Sequence, residues 1–242
     1  IFTLISTAYY FIVIQPSTKG ATRMKILAVS DFHGNLEASK KTALKAQDIR
    51  ANILIVCGDI TTFGSPRDAE KVLSLMVALK SPVLFVPGNM DSPKLAESKI
   101  EGAVCIHGKC EIYGEMTLLG GGGAPVSPSH APFEMTEKEI SNLLYQGLRN
   151  CQLKRWFILV SHSPPRDTSV DLAHNRKHIG SVSIRRFIED KKPHVAFCGH
   201  IHEARGIDYI GDTVIVNPGP ARQGNCAVAK LNEKVEVQLE HL

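Results

Sequence analysis

The sequence predicts an α/β fold, a four-layer αββα sandwich of two mixed β-sheets flanked by helices. Three observations lead there. From Met24 onward, short apolar runs alternate with stretches of helical spacing, as in a parallel sheet with crossover helices. Runs such as 52–57 are continuously apolar, the mark of strands buried on both faces. Near the end, segments 213–216, 225–230 and 234–239 switch to period-2 alternation, which reads as a second sheet with one face inward.

The elements follow in order. Residues 24–30 read as a strand, and 35–50 as a helix with Leu36, Ala43, Leu44 and Ala46 toward the core. After the strand at 52–57, Ser65-Pro66 supplies an N-cap and a first-turn proline. The helix that follows carries Val72, Leu73, Leu75, Met76 and Leu79. Residues 82–87 form a third strand, and Ser92-Pro93 opens a short helix. Short runs at 103–106, 111–113 and 116–119, split by glycine, resemble an antiparallel meander. Gly120 to about Phe133 reads as a glycine-rich lid. Thr136 to Glu139 is a capping box for a helix bearing Ile140, Leu143, Leu144 and Leu148. Buried strands at 155–161 and 194–198 bracket a loop (164–180) and a helix around Ile184, Phe187 and Ile188.

The bulk properties set bounds. The chain has 242 residues, 43% hydrophobic and 21% charged, enough for one sizeable domain. Its net charge of +4 comes from scattered Lys and Arg, and there is no basic, aromatic-interleaved strip; specific nucleic-acid binding is not expected. The six Cys lack a zinc-type pair spacing, and reduced thiols in a cytoplasmic protein are expected. Residues 1–14 are almost wholly apolar but short of the roughly 20 needed to span a bilayer. They lack the basic lead of a signal peptide. Residues 1–23 are therefore read as an over-extended or dispensable start, with a weak anchor as the other reading. The domain is placed at 24–242, and no stable membrane insertion is expected.

The chemistry sits at the strand ends. Ser30-Asp31-Phe32-His33, Gly58-Asp59, Gly88-Asn89-Met90-Asp91, Ser161-His162-Ser163 and Gly199-His200-Ile201-His202 each follow an apolar run. Taken singly, most read as caps or turns. Together they would deliver two Asp, one Asn and four His to one sheet edge, an O and N donor set suited to divalent transition metals. Seven donors exceed one tetrahedral ion and suit two ions sharing a carboxylate.

In order and chemistry these blocks resemble the calcineurin-like metallophosphoesterase superfamily, whose pattern runs D-x-H, G-D, G-N-H-D/E, H, G-H-x-H. The small single-domain prokaryotic, archaeal-type members are the most similar, with Asn217-Pro218-Gly219 after the His pair. The resemblance implies that Asp31, His33, Asp59 and His202 hold one metal. It implies that Asp59 bridges to a second, held also by Asn89, His162 and His200. It further implies attack on a P–O ester by a metal-bridging hydroxide, manganese being the expected ion with iron, nickel or zinc as alternatives.

One departure stands out. Met90 occupies the position of the superfamily's proton-donating His, which leaves Asp91, a catalytic candidate, without the partner it would orient. Asn89 doubles as a catalytic and substrate-binding candidate. For the missing acid, His178 is the first choice, catalytic and substrate-binding, with His130 second. The expected function is a two-metal phosphodiesterase acting on a small phosphate ester, with a slight lean to aryl or activated diesters. A non-catalytic metal-binding scaffold or a nuclease is the alternative. Edge strands of the second sheet offer an interface for homo-oligomers.

Overall fold

A computed structural model describes residues 24–242 except 78–80, 129 and 150. The expectations for residues 1–23 and Leu79 lie outside the described residues.

Strand β1 (Met24–Val29) leads to helix α1 (Leu36–Asp48), β2 (Ile53–Val56), α2 (Pro66–Val77), β3 (Val83–Phe85) and β4 (Ala103–Cys105). The hairpin β5 (Cys110–Tyr113) and β6 (Met116–Gly121) follows, then a small ladder of β7 (Ala124–Pro125) and β8 (Glu134–Met135). Helix α3 (Glu137–Leu148), β9 (Trp156–Ser161), α4 (Val182–Lys191) and β10 (Val195–Phe197) come next. Four strands close the order: β11 (Gly206–Ile210), β12 (Thr213–Asn217), β13 (Asn225–Leu231) and β14 (Val235–His241).

Two mixed sheets of six strands result, ordered β14-β13-β1-β2-β3-β4 and β11-β12-β10-β9-β6-β5. Three apolar layers hold them. Ile26, Ile55, Val86, Ile158, Phe197 and Val216 meet between the sheets. Leu27, Leu54, Leu73 and Phe85 pack under α1 and α2, while Leu144, Leu159, Phe187 and Ile215 pack under α3 and α4. That is the four-layer αββα arrangement the sequence predicts.

Three expectations need correction. The tail does not make a sheet of its own: β11 and β12 extend the second sheet, whereas β13 pairs antiparallel with β1 and β14 with β13. Strand β13 is buried on both faces, its Ala227, Ala229 and Leu231 lying between the sheets while Cys226 and Val228 face α1. The run 103–119 is no meander either, because β4 joins β3 in parallel and the β5–β6 hairpin belongs to the other sheet. Leu36 and Leu44 are exposed; the inward stripe of α1 is Ala38, Ser39, Thr42, Ala43 and Ala46 at i, i+3, i+4 spacing.

Caps fall where the side chains dictate. Asn35 accepts from Ala38 N–H at 2.9 Å, and Thr136 with Glu139 forms the expected capping box. Cys110 and Cys151 are joined as a disulfide between β5 and the segment after α3, contrary to the reduced thiols expected; the other four Cys are free and buried. Among the described residues no helix is long and apolar enough to cross a membrane.

Candidate metal centre and its cavity

The parallel strands of both sheets end on the same side, the edge where open α/β sheets gather ligands. Asp31 N–H donates to the Gly58 carbonyl, Gly199 N–H to that of His162, and Ala221 N–H to that of Ser30, so the loops after five strands are tied together. At these ends the backbone turns sharply. Asp31, His33, Asp59 and His200 all adopt positive φ (+58°, +50°, +48° and +69°), a left-handed conformation costing about 1–2 kcal/mol per non-glycine residue. That turn swings each side chain off the strand direction and toward its neighbours. Gly88 and Gly199 are cradles: a Cβ on Gly88 would overlap the Asp59 carboxylate, and one on Gly199 would overlap Ser30.

All seven donors expected from the sequence come together here. Asp31, His33 and His202 offer ligand atoms within 4.8 Å of one another, and so do Asp31, Asp59 and His162. Asp59 splits its oxygens, Oδ2 lying 3.7 Å from His33 Nε2 and Oδ1 3.5 Å from His162 Nε2. Asn89 Oδ1 is 2.9 Å from His162 Nε2, and the His200 ring lies 5.0 Å from the His162 ring. His33 Nε2 and His202 Nε2 point at each other across 3.3 Å.

Electrostatics without an ion are strained. Burial, reinforced by the charges of Asp31 and Asp91, raises the Asp59 carboxyl to about 7 against the opposing pull of His162. Burial would raise Asp31 too, but the facing imidazoles of His202 and His162 outweigh it and bring the group down to about 2. Burial lowers His33 to about 4 and His200 to about 3, while Asp31 raises His202. Asp31 Oδ1 is buried with no directed hydrogen bond, although His202 Nε2 lies 3.3 Å away. Facing lone-pair donors, a buried carboxylate oxygen without a directed hydrogen bond and the lowered imidazoles of His33 and His200 are what a divalent cation would satisfy. The donor set therefore fits a metal.

Other expectations fare differently. Asp91 does not face the centre: its carboxylate is fully buried and accepts N–H bonds from Ile60, Thr61 and Gly88 plus the Thr61 hydroxyl, at 2.7–3.0 Å. It bolts the Asp59 loop to the Gly88 loop through backbone N–H groups and the Thr61 hydroxyl. The glycine-rich run is no free lid. Gly120–Gly123 are buried; Gly123 N–H donates to the Pro87 carbonyl, and Gly122 passes too close to Pro87 to carry a Cβ. His130 is exposed on the loop between β7 and β8. His178 lines a cavity of about 760 Å³ together with His200, Pro125, Val126, Ile179 and Val182.

Two residues escaped sequence reasoning. Arg222 places Nη2 3.3 Å from His202 Nδ1 at the mouth of the centre; its one signal was its place just after the Asn217-Pro218-Gly219 turn. Asp171, fully buried, puts Oδ1 2.6 Å from His178 Nδ1, and nothing in the sequence set it apart from other loop acids.

The calcineurin-like phosphoesterase superfamily domain matches residues 24–233. Protein MJ1162 of Methanocaldococcus jannaschii is 40% identical over 202 residues, covering 81% of this chain and 88% of that protein. The 3',5'-cyclic adenosine monophosphate phosphodiesterase CpdA of Escherichia coli is 22% identical over 227 residues, covering 84% and 78%. A dimetal phosphatase from Danio rerio shares the fold at a TM-score of 0.63 and 12% identity, over 90% of this chain and 96% of that one. By sequence along nearly the whole described length, the chain belongs to the calcineurin-like phosphoesterase superfamily, metal-dependent hydrolases of phosphoric esters.

Proposed function

We propose that the protein is a two-metal phosphodiesterase of small phosphate esters, with Asp31, His33, Asp59 and His202 around one ion and Asp59, Asn89, His162 and His200 around the other. One observation carries this reading: the two oxygens of Asp59 face opposite imidazoles, His33 on one side and His162 on the other, as a bridging carboxylate requires. The similarity to CpdA, a cyclic nucleotide phosphodiesterase by name, favours a diester.

When bound, such ions supply Lewis acidity to the phosphoryl oxygens and make hydroxide available near neutral pH. The chain's own residues do the rest. Asp59 sets the spacing between the two halves of the donor set. Asp91, through three backbone N–H groups, fixes the loops that carry Asp59 and Asn89. His162 donates Nδ1–H to the Cys57 carbonyl at 2.7 Å, which leaves Nε2 free to ligate. Met90 has no proton to give, and His178 is the group assigned to protonate the departing oxygen. Manganese is the preferred ion on donor type, with iron, nickel and zinc close behind.

The test is hydrolysis of bis-p-nitrophenyl phosphate and p-nitrophenyl phosphate with EDTA or with added Mn²⁺, Ni²⁺ or Zn²⁺. Metal-restored cleavage that favours the diester is expected. A folded, metal-loaded protein that cleaves neither ester would instead be a non-catalytic scaffold.

A further inference from the structure

The cavity beside His200 contains a second, separate arrangement of titratable groups. His178 Nδ1 lies 2.6 Å from Asp171 Oδ1. That carboxylate is fully buried, yet it is not short of partners: Oδ1 accepts from Thr168 N–H at 2.8 Å, and Oδ2 from Gly180 N–H at 3.0 Å and Asp167 N–H at 3.2 Å. Both oxygens are thus pinned by backbone N–H groups of their own loop, so the carboxylate cannot turn away from the ring. With a carboxylate oxygen opposite Nδ1, that nitrogen is the donor of the pair and the ring's orientation is fixed. Nε2 is the nitrogen left over. The ring's side chain is 37% exposed while its carboxylate partner has no exposure at all, so the pair is open to the cavity from the His178 side.

The cavity walls describe what enters. Pro125, Val126, Pro128, Ile179 and Val182 make most of the wall apolar, Arg166 and Glu137 add charged groups to it, and the volume of about 760 Å³ is that of a small-molecule site. Val126 and Ile179 are 61% and 42% exposed and present apolar surface to this space. The centre at His200 forms one end of this space.

We infer that this cavity seats the departing arm of the substrate, an alcohol bearing a planar or apolar group, and that Asp171 positions His178 to protonate it. This rests on the phosphodiesterase reading above and narrows it. The substrate class becomes diesters of unactivated alcohols, which differs from the activated aryl diesters toward which Met90 alone would point. In the step, water adds to phosphorus and gives up a proton to solvent. The P–O bond to the departing arm breaks, with its electron pair staying on oxygen. That oxygen takes the proton from His178 Nε2, and the ring becomes neutral with Nδ1–H still on Asp171. Solvent returns the proton to Nε2 before the next turnover.

The experiment compares bis-p-nitrophenyl phosphate, whose leaving oxygen needs no proton, with dibenzyl phosphate, whose leaving oxygen does. Both carry rings of similar size. In the metal-loaded full-length protein, His178→Gln and Asp171→Asn should lower kcat on dibenzyl phosphate about a hundredfold or more beyond any loss on the nitrophenyl ester. Val126→Asp should raise KM for both about tenfold, because it puts charge into the apolar wall. Equal losses on the two esters would reduce Asp171 and His178 to loop-holding groups and overturn the assignment. So would a native protein that cleaves the nitrophenyl ester but not dibenzyl phosphate, or a V126D variant with unchanged KM. Inactivity of the native protein on both esters would instead overturn the phosphodiesterase reading itself. Should Asp171→Asn fail to fold, His178→Gln, on a half-exposed ring, carries the test alone.

Discussion

Asn89 Oδ1 lies 2.9 Å from His162 Nε2, joining a loop that leaves one sheet to a strand end of the other. With Nδ1–H donated to the Cys57 carbonyl, His162 turns Nε2 toward the amide oxygen. Both atoms are of the type that would hold a divalent cation. Asn89→Ala should therefore remove one of two metal-binding events while the fold is retained. Calorimetric titration with Mn²⁺ gives the stoichiometry, and two ions still bound to the variant would refute the ligand assignment.

Asp59→Asn should reduce turnover to background. It should also change the pH dependence of stability in the metal-free protein. A carboxyl raised from 3.8 to about 7 binds its proton more tightly when folded, so its contribution is fully present below about 4 and is lost as pH rises toward 7. The loss is on the order of 4 kcal/mol. Urea unfolding at pH 5 and pH 8 with EDTA should show the variant gaining on the native protein at the higher pH. A constant difference between the two would contradict the shift.

Metal affinity should depend on pH through the same group. Below about 7 an incoming cation must displace the Asp59 proton, so affinity should fall roughly tenfold per pH unit, more once His202, raised by Asp31, also protonates. His33 and His200, lowered to about 4 and 3, are already neutral and add nothing between pH 5 and 7. Calorimetry in buffers of different ionisation enthalpy would count the protons released; none at pH 6 would exclude this account.

Asp91→Ala strips partners from three buried N–H groups and the Thr61 hydroxyl. At about 1–3 kcal/mol for each unsatisfied buried donor, the destabilisation should be about 3 kcal/mol or more. Denaturant unfolding measures it. A loss under 1 kcal/mol would mean that water replaces the carboxylate and that the two loops are held by other contacts.

Much of this was legible in the residues. Continuous apolar runs gave the parallel strands, the Ser, Thr and Asn caps gave helix starts, and the polar residue after each run marked the sheet edge. What stayed hidden was non-local. Nothing in Asn225–Leu231 says that it pairs with β1, since alternation reveals a half-buried face but not a neighbour. Leu36 and Leu44 misled because α1 meets its sheet through small residues, where packing distance outweighs hydrophobicity. Asp91 and Asp171 are ordinary acids by sequence. Their use depends on backbone N–H groups brought from loops some 30 residues away for one and from its own loop for the other.

The pairing of β1 with β13 has a kinetic meaning. Asp31 and His33 leave the end of a strand whose outer edge is closed by residues from the far end of the described chain, with Met24 opposite Leu231. The sheet holding the first half of the centre is therefore incomplete until the chain has been made as far as Leu231 and has folded back. Such long-range closure slows folding. Ligand geometry should accordingly appear in the last phase of refolding, after the β2–β3–β4 ladder has formed, so that metal uptake can serve as a clock for the final step.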